Sequence, residues 1–209
     1  MSKREKEYYI SLDVEADGPC PLVNSMLQLG AVFYDPEGNM VEEYKANILE
    51  IDGAVQDPST MKWWADQEER FPGIWTRMME NRVDAKTAMD KFAYLVTKYC
   101  LKFKCAPLVI AYPAGFDFTY LYVYCCKFLG KSPVGFSALD MKTLAMSLIQ
   151  DTYHNSAKKR FPQHWFNSKL KHTHDALDDA RGQGYTFFKM KKQMELNWIT
   201  LNAAMSSES

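Results

Sequence analysis

The N-terminal quarter of the chain contains three segments of strand composition that are separated by short turns. The first covers residues 8–14 and stops at a turn signal, residues 15–19. Residues 26–34 and 40–48 have the same character, and the polar residues 35–39 between them predict a tight turn. Strands joined in this way form an antiparallel meander, so the chain is expected to begin as one half of a β-sheet.

The remainder of the chain has mainly helical patterns with one further strand. Asp57 followed by Pro58 is typical of a helix start, and the spacing of apolar residues predicts a helix from Asp84 to about residue 101. A further strand is predicted at 107–112, a helix at 116–129, and another helix that begins at Asp140. The last helix is predicted from just after His174 to about residue 198, and Gly182 and Gly184 are weak points in its interior. Hairpin strands followed by alternating strands and helices predict an α/β fold with a mixed sheet.

Composition limits the class of protein. With 209 residues, 47% of them apolar, the chain can bury one substantial core, so a single domain over residues 1–209 is expected, with a core at about 8–193 and a short polar tail at 206–209. The 25 basic and 26 acidic side chains nearly cancel. No overall positive field would therefore hold long duplex nucleic acid, and any polyanion must be bound locally by a site.

The five cysteines are odd in number and include no C-x-x-C pair, which argues against a disulfide framework and a zinc knuckle. The basic N-terminus leads into acids rather than into a cleavage site, and no apolar stretch approaches transmembrane length. A cytoplasmic protein with no membrane partner is expected.

Acids lie at the ends of two predicted strands. Asp13 and Glu15 are two residues apart, so on an extended strand both side chains project from the same face and can bind one cation. For this pair alone, two solvated carboxylates are the alternative. Asp117 follows the strand at 107–112, where an isolated aspartate could equally be the N-cap of the next helix.

The most specific motif is His-Asp-Ala-Leu-Asp-Asp-Ala at residues 174–180. It places His174 five positions before Asp179, which the small Ala176 and Ala180 allow to approach the sheet. Asp175 and Asp178 are better explained as favourable charges at the helix N-terminus, and His174 alone could be a surface residue. Four carboxylates in one pocket would repel one another without cations, so the candidate set indicates a metal site: Asp13, Glu15, Asp117 and Asp179.

Three motifs resemble those of the DEDDh-type 3′→5′ exonucleases, a family with a ribonuclease H-like fold. Asp13-Val14-Glu15 looks like the first, Gly115-Phe116-Asp117 like the second and residues 174–180 like the third, in the same order over about residues 8–193. The second motif departs from the family, because Tyr112-Pro113-Ala114 stands where relatives commonly carry His-Asn-Ala. Residues 59–67 are also similar to a stretch in some phage and bacterial members.

The resemblance implies a mixed sheet flanked by helices and a hydrolase that uses two divalent cations, Mg²⁺ or Mn²⁺, about 3.5 to 4 Å apart. Asp13 would bridge both cations, Glu15 and Asp179 would complete the first site, and Asp117 would act at the second through water. His174 would be the general base that removes a proton from the nucleophilic water. The substrate would be the 3′ end of single-stranded or short RNA or DNA, and the product a nucleoside 5′-monophosphate.

Contacts with the substrate are predicted less directly, and the candidates are Ala16, Asp17, Met61, Trp63, Trp64 and Phe116. In the family, the backbone after the Glu of the first motif meets the terminal ribose. Met61, Trp63 and Trp64 would stack on or wedge terminal bases, but adjacent helical residues point about 100° apart, so one tryptophan is expected in the core. A helix whose aromatic face only anchors it is the alternative.

A basic cluster precedes His174 and consists of Lys158, Lys159, Arg160, Lys169 and Lys171. It could steer a phosphate backbone, although a solvated loop explains most of these charges.

The leading hypothesis is a two-metal 3′→5′ exonuclease. The alternatives are a nucleic-acid-binding or scaffold protein that keeps the fold without hydrolysis, and a metal phosphodiesterase for a small nucleotide. Family members are often dimers, so a homodimer is among the expectations, although no segment identifies an interface.

Overall fold

A computed structural model describes residues 6–170 and 172–207. Five strands form one sheet in the order β3-β2-β1-β4-β5, in which β1 pairs antiparallel with β2 and parallel with β4. β2 also pairs antiparallel with β3, and β4 pairs parallel with β5. The strands are β1 (Glu7–Ala16), β2 (Met26–Tyr34), β3 (Met40–Asn47), β4 (Ala106–Ala111) and β5 (Leu139–Asp140). The predicted mixed sheet is confirmed.

Six α-helices surround the sheet in the described part of the chain. They are α1 (Pro58–Arg70), α2 (Ile74–Met79), α3 (Ala85–Phe103), α4 (Ala114–Leu129), α5 (Met141–Ile149) and α6 (Ala176–Ser207), with two 3₁₀ turns at Lys158–Arg160 and Gln163–Trp165 between α5 and α6. The predicted helix starts at Asp57, Asp84 and Asp140 are confirmed, because each of these side chains is an N-cap that accepts a backbone N–H three residues later.

β1 is the central strand, and its two faces meet different cores. Tyr8 and Ile10 pack with α3 and α4, whereas Tyr9 packs with Phe187 of α6. Ser11 lies on the same face as Tyr9 and donates a hydrogen bond of 2.7 Å to the carbonyl of Ala180. Because side chains alternate along a strand, Asp13 and Glu15 continue this α6-facing row.

Several predicted boundaries are wrong. β1 continues through Ala16, which pairs with Met26 after a bulge, so the turn begins two residues later than expected. α6 does not end at residue 198 but reaches Ser207, since no glycine or proline interrupts its last turns; residues 206 and 207 of the predicted polar tail are therefore helical. The short β5 and α2 are not predicted by pattern, because two and six residues are too few to show a period.

Two glycines let secondary structure elements approach closely. A Cβ on Gly30 of β2 would lie 2.2 Å from the backbone of Ala176, and one on Gly184 would lie 2.2 Å from the hydroxyl of Tyr34. Gly184 is thus a packing position for β2 against α6 and not only a weak point in the helix. Gly30 pairs with Asp13 across the sheet, so it sets the start of α6 against the strand that carries the first two acids.

Candidate active site

Three of the four candidate carboxylates converge where β1 meets the start of α6. Asp13, Glu15 and Asp179 each offer a carboxylate oxygen, and these oxygens lie within 4.8 Å of one another. Glu15 and Asp179 are 8% and 5% exposed, while Asp13 is partly exposed. The strand positions the first two side chains on one face, and the small Ala176 and Ala180, both fully buried, bring the third onto them.

Asp117 reaches the same region from the first turn of α4. Its Oδ1 accepts the backbone N–H of Val14 at 3.1 Å, so it is anchored to β1 beside Asp13. The N-cap alternative for Asp117 is wrong, because the cap position is Pro113 and Asp117 lies four residues later, inside the first turn of the helix. Its Oδ2 is buried and has no hydrogen-bond partner among the described residues. A buried carboxylate oxygen without a donor is suited to a cation or to a water bound to one.

Asp179 is held by the loop that precedes α6. Its Oδ1 accepts the N–H of Thr173 at 3.1 Å and its Oδ2 accepts the N–H of His174 at 3.2 Å. His174 has a φ of 55°, in the left-handed region, so the loop folds back over the helix start. The spacing of five residues in the motif therefore allows the backbone of the histidine to cap the carboxylate of the aspartate.

Both histidines of this loop lie beside Asp179, although only His174 is predicted from the motif. His172 Nδ1 is 2.7 Å from Asp179 Oδ2, and the two imidazole rings are 4.2 Å apart. The His174 ring packs edge-on against Trp63 of α1 at 4.9 Å and against Phe71 at 5.6 Å. His172 is more exposed, whereas aromatic rings from a distant helix fix the orientation of His174.

Burial and mutual repulsion shift the pKa values of the acids upward. Burial, and then the neighbouring carboxylates, raise the pKa of Asp13 and the pKa of Glu15 well above their usual range. Burial raises the pKa of Asp117 to about 8, against the opposing hydrogen bond from Val14. Burial, and then the charge of His172, lower the pKa of His174 to about 4, so this imidazole is neutral near pH 7.

The donor set fits hard divalent cations. All four acids present oxygen atoms, which Mg²⁺ and Mn²⁺ prefer. Burial raises the pKa values of Asp13, Glu15 and Asp117, so positive charge at this point would favour their ionised forms. The acids that could hold a cation are Asp13, Glu15 and Asp179 directly, with the free oxygen of Asp117 beside them, and His172, His174 and Asp179 form a second group of possible ligands.

Gln183 is a site residue that the sequence analysis did not identify. Its Nε2 donates to Asp13 Oδ1 at 2.5 Å, while its Oε1 is buried and has no partner among the described residues. Gln183 lies four residues after Asp179 on α6, so the two side chains share a helix face. That spacing is the signal that could have found it.

The aromatic candidates on α1 divide as expected. Trp64 is 2% exposed and donates its Nε1–H to the carbonyl of Ala16 at 3.0 Å, whereas Trp63 is 39% exposed. The prediction that one tryptophan belongs to the core is confirmed. Met61 is partly buried and packs in the small cluster around Trp64. Phe116 packs against the core that contains Tyr8 and Ile10, and its ring lies 5.2 Å from that of Tyr120.

The backbone candidates after Glu15 are already bonded within the protein. Asp17 is 1% exposed, and its carboxylate accepts the N–H of Ser25 at 2.5 Å while its own N–H donates to the carbonyl of Ser25. The Asp17 side chain therefore stabilises the turn between β1 and β2. A contact of the Ala16–Asp17 backbone with a ribose stays a prediction.

The basic cluster is not one continuous surface. Lys158 is partly buried in the wall of a cleft shared with Asp179, whereas Lys159, Arg160 and Lys169 are exposed, and Arg160 pairs with Asp151 at 3.3 Å. Lys171, the fifth member, lies outside the described residues.

The sheet order and the flanking helices form a ribonuclease H-like fold, with the acidic cluster where β1 meets the start of α6. A family model matches residues 8–189, and the chain belongs to that family, described as the 3′-5′ exoribonuclease Rv2179c-like domain. The prediction of the family is confirmed, and the protein is a nuclease.

Relatives agree with this assignment. The chain is 23% identical to the 3′-5′ DNA exonuclease Cap18 of Escherichia coli over 201 residues, which cover 92% of this chain and 96% of Cap18. It is 25% identical to a PolC-type DNA polymerase III of Thermotoga petrophila, but that match covers 95% of this chain and only 13% of the polymerase.

Solved structures share the fold at low sequence identity. The nuclease domain of 3′hExo, a DEDDh family member bound to rAMP, superposes with a TM-score of 0.64 at 10% identity and covers 91% of this chain and 94% of that domain. E. coli exonuclease I with single-stranded DNA gives a TM-score of 0.57 at 14% identity over 98% of this chain and 42% of the enzyme. Among the described helices, none has the length and apolar character needed to span a membrane.

Proposed function

We propose that the protein is a two-metal-ion 3′→5′ exonuclease that hydrolyses phosphodiester bonds at the 3′ end of single-stranded or short RNA or DNA and releases nucleoside 5′-monophosphates. The observation that carries the proposal is the convergence of Asp13, Glu15 and Asp179 within 4.8 Å, beside the unpartnered oxygen of Asp117. Buried acids with raised pKa values at one point indicate a site built for cations rather than for stability.

Asp13, Glu15, Asp117 and Asp179 would hold two divalent cations, Mg²⁺ or Mn²⁺. When bound, these cations would polarise the scissile phosphate and stabilise both the attacking and the leaving oxygen. Gln183 orients Asp13, and the N–H groups of Thr173 and His174 orient Asp179, so the ligands are fixed before substrate arrives.

His174 would act as general base. A neutral imidazole nitrogen takes one proton from a water molecule, the water oxygen bonds to the phosphorus, and the bond from phosphorus to the 3′ oxygen of the preceding nucleotide breaks. That oxygen takes up a proton from solvent and becomes the new 3′-hydroxyl. The products are a nucleoside 5′-monophosphate and a strand shortened by one nucleotide. The depressed pKa of His174 keeps the residue unprotonated at neutral pH, which is the state in which a general base must begin the reaction.

The proposed substrate includes both ribose and deoxyribose strands, and the two are to be tested separately. The family description names an exoribonuclease, whereas Cap18 is a DNA exonuclease. Met61, Trp63 and Phe116 would contact the terminal nucleotides, and the backbone of Ala16 and Asp17 would contact the terminal ribose.

We further propose that the chain works as a single exonuclease domain in the cytoplasm. The family model, which spans residues 8–189, supports a single domain. The five free cysteines support a location in the cytoplasm. A homodimer stays a prediction that light scattering tests.

A time course with matched 3′-labelled and 5′-labelled strands of RNA and of DNA, in Mg²⁺, Mn²⁺ or EDTA, tests the function. The proposal expects immediate release of labelled mononucleotide from the 3′-labelled strand, a ladder from the 5′-labelled strand, and no reaction in EDTA. Retention of the strand on a filter without cleavage in Mn²⁺ would instead indicate a binding protein. Faster cleavage of a dinucleotide than of longer oligomers would indicate a small-nucleotide phosphodiesterase.

A further inference from the structure

Lys158 occupies a different position from the other basic residues of its cluster. It begins the 3₁₀ turn Lys158–Arg160 and lines a cleft together with Asp179, Gln183 and His172. Lys159 and Arg160 on the same turn are exposed, while Lys158 is partly buried. The turn therefore directs one lysine toward the acidic site and leaves its neighbours in solvent.

Tyr112 holds this lysine at two points. The Tyr112 hydroxyl accepts the backbone N–H of Lys158 at 2.9 Å, and the Lys158 Nζ lies 4.7 Å from the centre of the Tyr112 ring. Tyr112 directly follows β4 and is itself packed edge-on against Phe161 at 5.7 Å, so the sheet fixes its position. Tyr112 is also the first residue of the segment that departs from the family's second motif, and here it contacts the lysine.

The positive charge of Lys158 acts on the carboxyl groups of the site, but the lysine forms no ion pair with them. Its positive charge acts to lower the pKa values of Asp13, Glu15 and Asp117, which agrees with its place in the wall of the cleft that Asp179 also lines. Yet no acid among the described residues lies within 4 Å of its nitrogen, in contrast to Arg181, which pairs with Glu43 at 2.6 Å. An unpaired cation beside an acidic metal site is placed to bind an anion that enters the cleft.

We propose that Lys158 is a substrate-binding residue of the exonuclease, whose ammonium group contacts an oxygen of the scissile phosphate, and that Tyr112 is the positioning residue that orients it. This inference rests on the proposed function. The lysine would add positive charge on the cleft side of the phosphate, where negative charge increases during cleavage, and would do so without being a cation ligand.

The first test compares Lys158→Met with Lys159→Met, a matched control on the same turn. Lys158→Met should lose about 100-fold in kcat/KM, and Lys158→Arg should recover much of that loss because the charge is restored. Lys159→Met should stay within about twofold of the parent, since its side chain is solvated. Parent-level kcat/KM in Lys158→Met would overturn the proposal.

The second test uses binding without turnover. Calorimetry should show that Lys158→Met binds Mn²⁺ more tightly than the parent, because a nearby positive charge is gone, but binds a nucleoside 5′-monophosphate more weakly in the presence of Mn²⁺. A structural role would weaken both and lower the melting temperature. Weakening of both without rescue by Lys158→Arg would therefore refute the proposal.

Tyr112 gives a graded comparison. Tyr112→Phe keeps the ring beneath the ammonium group and should lose only a few-fold in kcat/KM, whereas Tyr112→Leu should approach Lys158→Met while keeping the tighter Mn²⁺ binding of that variant. Parent-level kcat/KM in Tyr112→Leu would contradict the positioning role. If the parent protein cleaves no strand, the proposed function fails, but the Mn²⁺ and mononucleotide titrations still decide whether Lys158 faces the site.

Discussion

The carboxylate half of the site and the histidine half are built by different kinds of structure. The carboxylates lie on the central strand and on the first turns of two helices, with Glu15, Asp117 and Asp179 nearly inaccessible to solvent. The histidines lie on a loop, and their orientation depends on contacts with Asp179 and with the aromatic rings of α1 and Phe71. The groups that would bind cations are therefore fixed by the core, whereas the proposed base is fixed by side-chain packing.

The pKa values in the two halves are also shifted in opposite directions. In the carboxylate half, burial and like charges raise the pKa values and make the cation-free site unfavourable. In the histidine half, burial lowers the pKa of His174 and keeps it neutral. A cation would relieve the strain in the carboxylate half, whereas its positive charge would act on His174 in the same direction as burial, so the halves can be separated by experiment.

The largest effect is expected from Asp13→Asn in the carboxylate half. The rate should fall by at least about 1000-fold, because cation catalysis contributes several kcal/mol and each tenfold in rate corresponds to about 1.4 kcal/mol. In EDTA the same variant should melt at a higher temperature than the parent, since one of the mutually repelling carboxyl groups is replaced by a neutral amide. A labelled-strand assay and thermal unfolding measure the two changes.

Asp90→Asn is the matched control for that substitution. Asp90 is exposed on α3 and pairs with Lys86 at 2.7 Å, an arrangement that contributes little to stability. Its rate and melting temperature should equal those of the parent. A lower melting temperature of Asp13→Asn in EDTA, with unchanged Mn²⁺ affinity, would show that Asp13 is a structural residue.

The next largest effect is expected from His174→Ala. It should lose about 100- to 10,000-fold in rate, the usual contribution of a general base, and should bind Mn²⁺ nearly as well as the parent. His172→Ala provides the comparison, because this residue touches Asp179 but not the aromatic rings of α1. A greater loss for His172→Ala than for His174→Ala would transfer the role of base to His172.

A smaller effect is expected where β2 meets the start of α6. Gly30→Ala would place a methyl group 2.2 Å from the backbone of Ala176, so it should cost about 1 to 3 kcal/mol of unfolding free energy and reduce the rate by displacing Asp179. Gly182→Ala, whose methyl group meets no described atom within 4 Å, should be neutral or stabilising by up to about 1 kcal/mol. Denaturant titrations of the two variants give the comparison, and equal stabilities would show that α6 does not need the close approach.

The smallest effect is expected from pH on the cation-free protein. Because the pKa values of Asp13, Glu15 and Asp117 are raised on folding, the folded state holds more protons than the unfolded state, and stability falls as pH rises through that range. The lowered pKa of His174 acts in the opposite direction, but only below its unfolded value of 6.5. In EDTA the melting temperature should therefore fall by a few degrees between about pH 6.5 and 8.5.

Saturating Mg²⁺ should abolish that decrease, since the cations favour the ionised carboxylates at every pH in the range. The measurement is a set of melting curves with EDTA or Mg²⁺ at fixed ionic strength. A melting temperature in EDTA that is flat or rises with pH would show that the carboxylates are not strained in the absence of cations.

Much of the carboxylate half could be predicted from the sequence because its signals are local. Asp13 and Glu15 are placed on one face by the two-residue period of a strand, and the histidine motif precedes a helix whose small residues allow it to approach the sheet. The strand at 26–34 and the helix caps at Asp57, Asp84 and Asp140 follow from equally local patterns. By contrast, the predicted end of α6 at about residue 198 is wrong, since nothing local stops that helix before Ser207.

By itself, the sequence determined the order of the longer strands and helices and the positions of the acids along them, because strand and helix periods and capping depend on residues a few positions apart. Only the tertiary structure decided that Trp63 and Phe71 pack on His174, that Gln183 bonds to Asp13, and that Tyr112 orients Lys158. These contacts join segments far apart in the chain. They depend on how the faces of the sheet and helices meet, which no local pattern encodes.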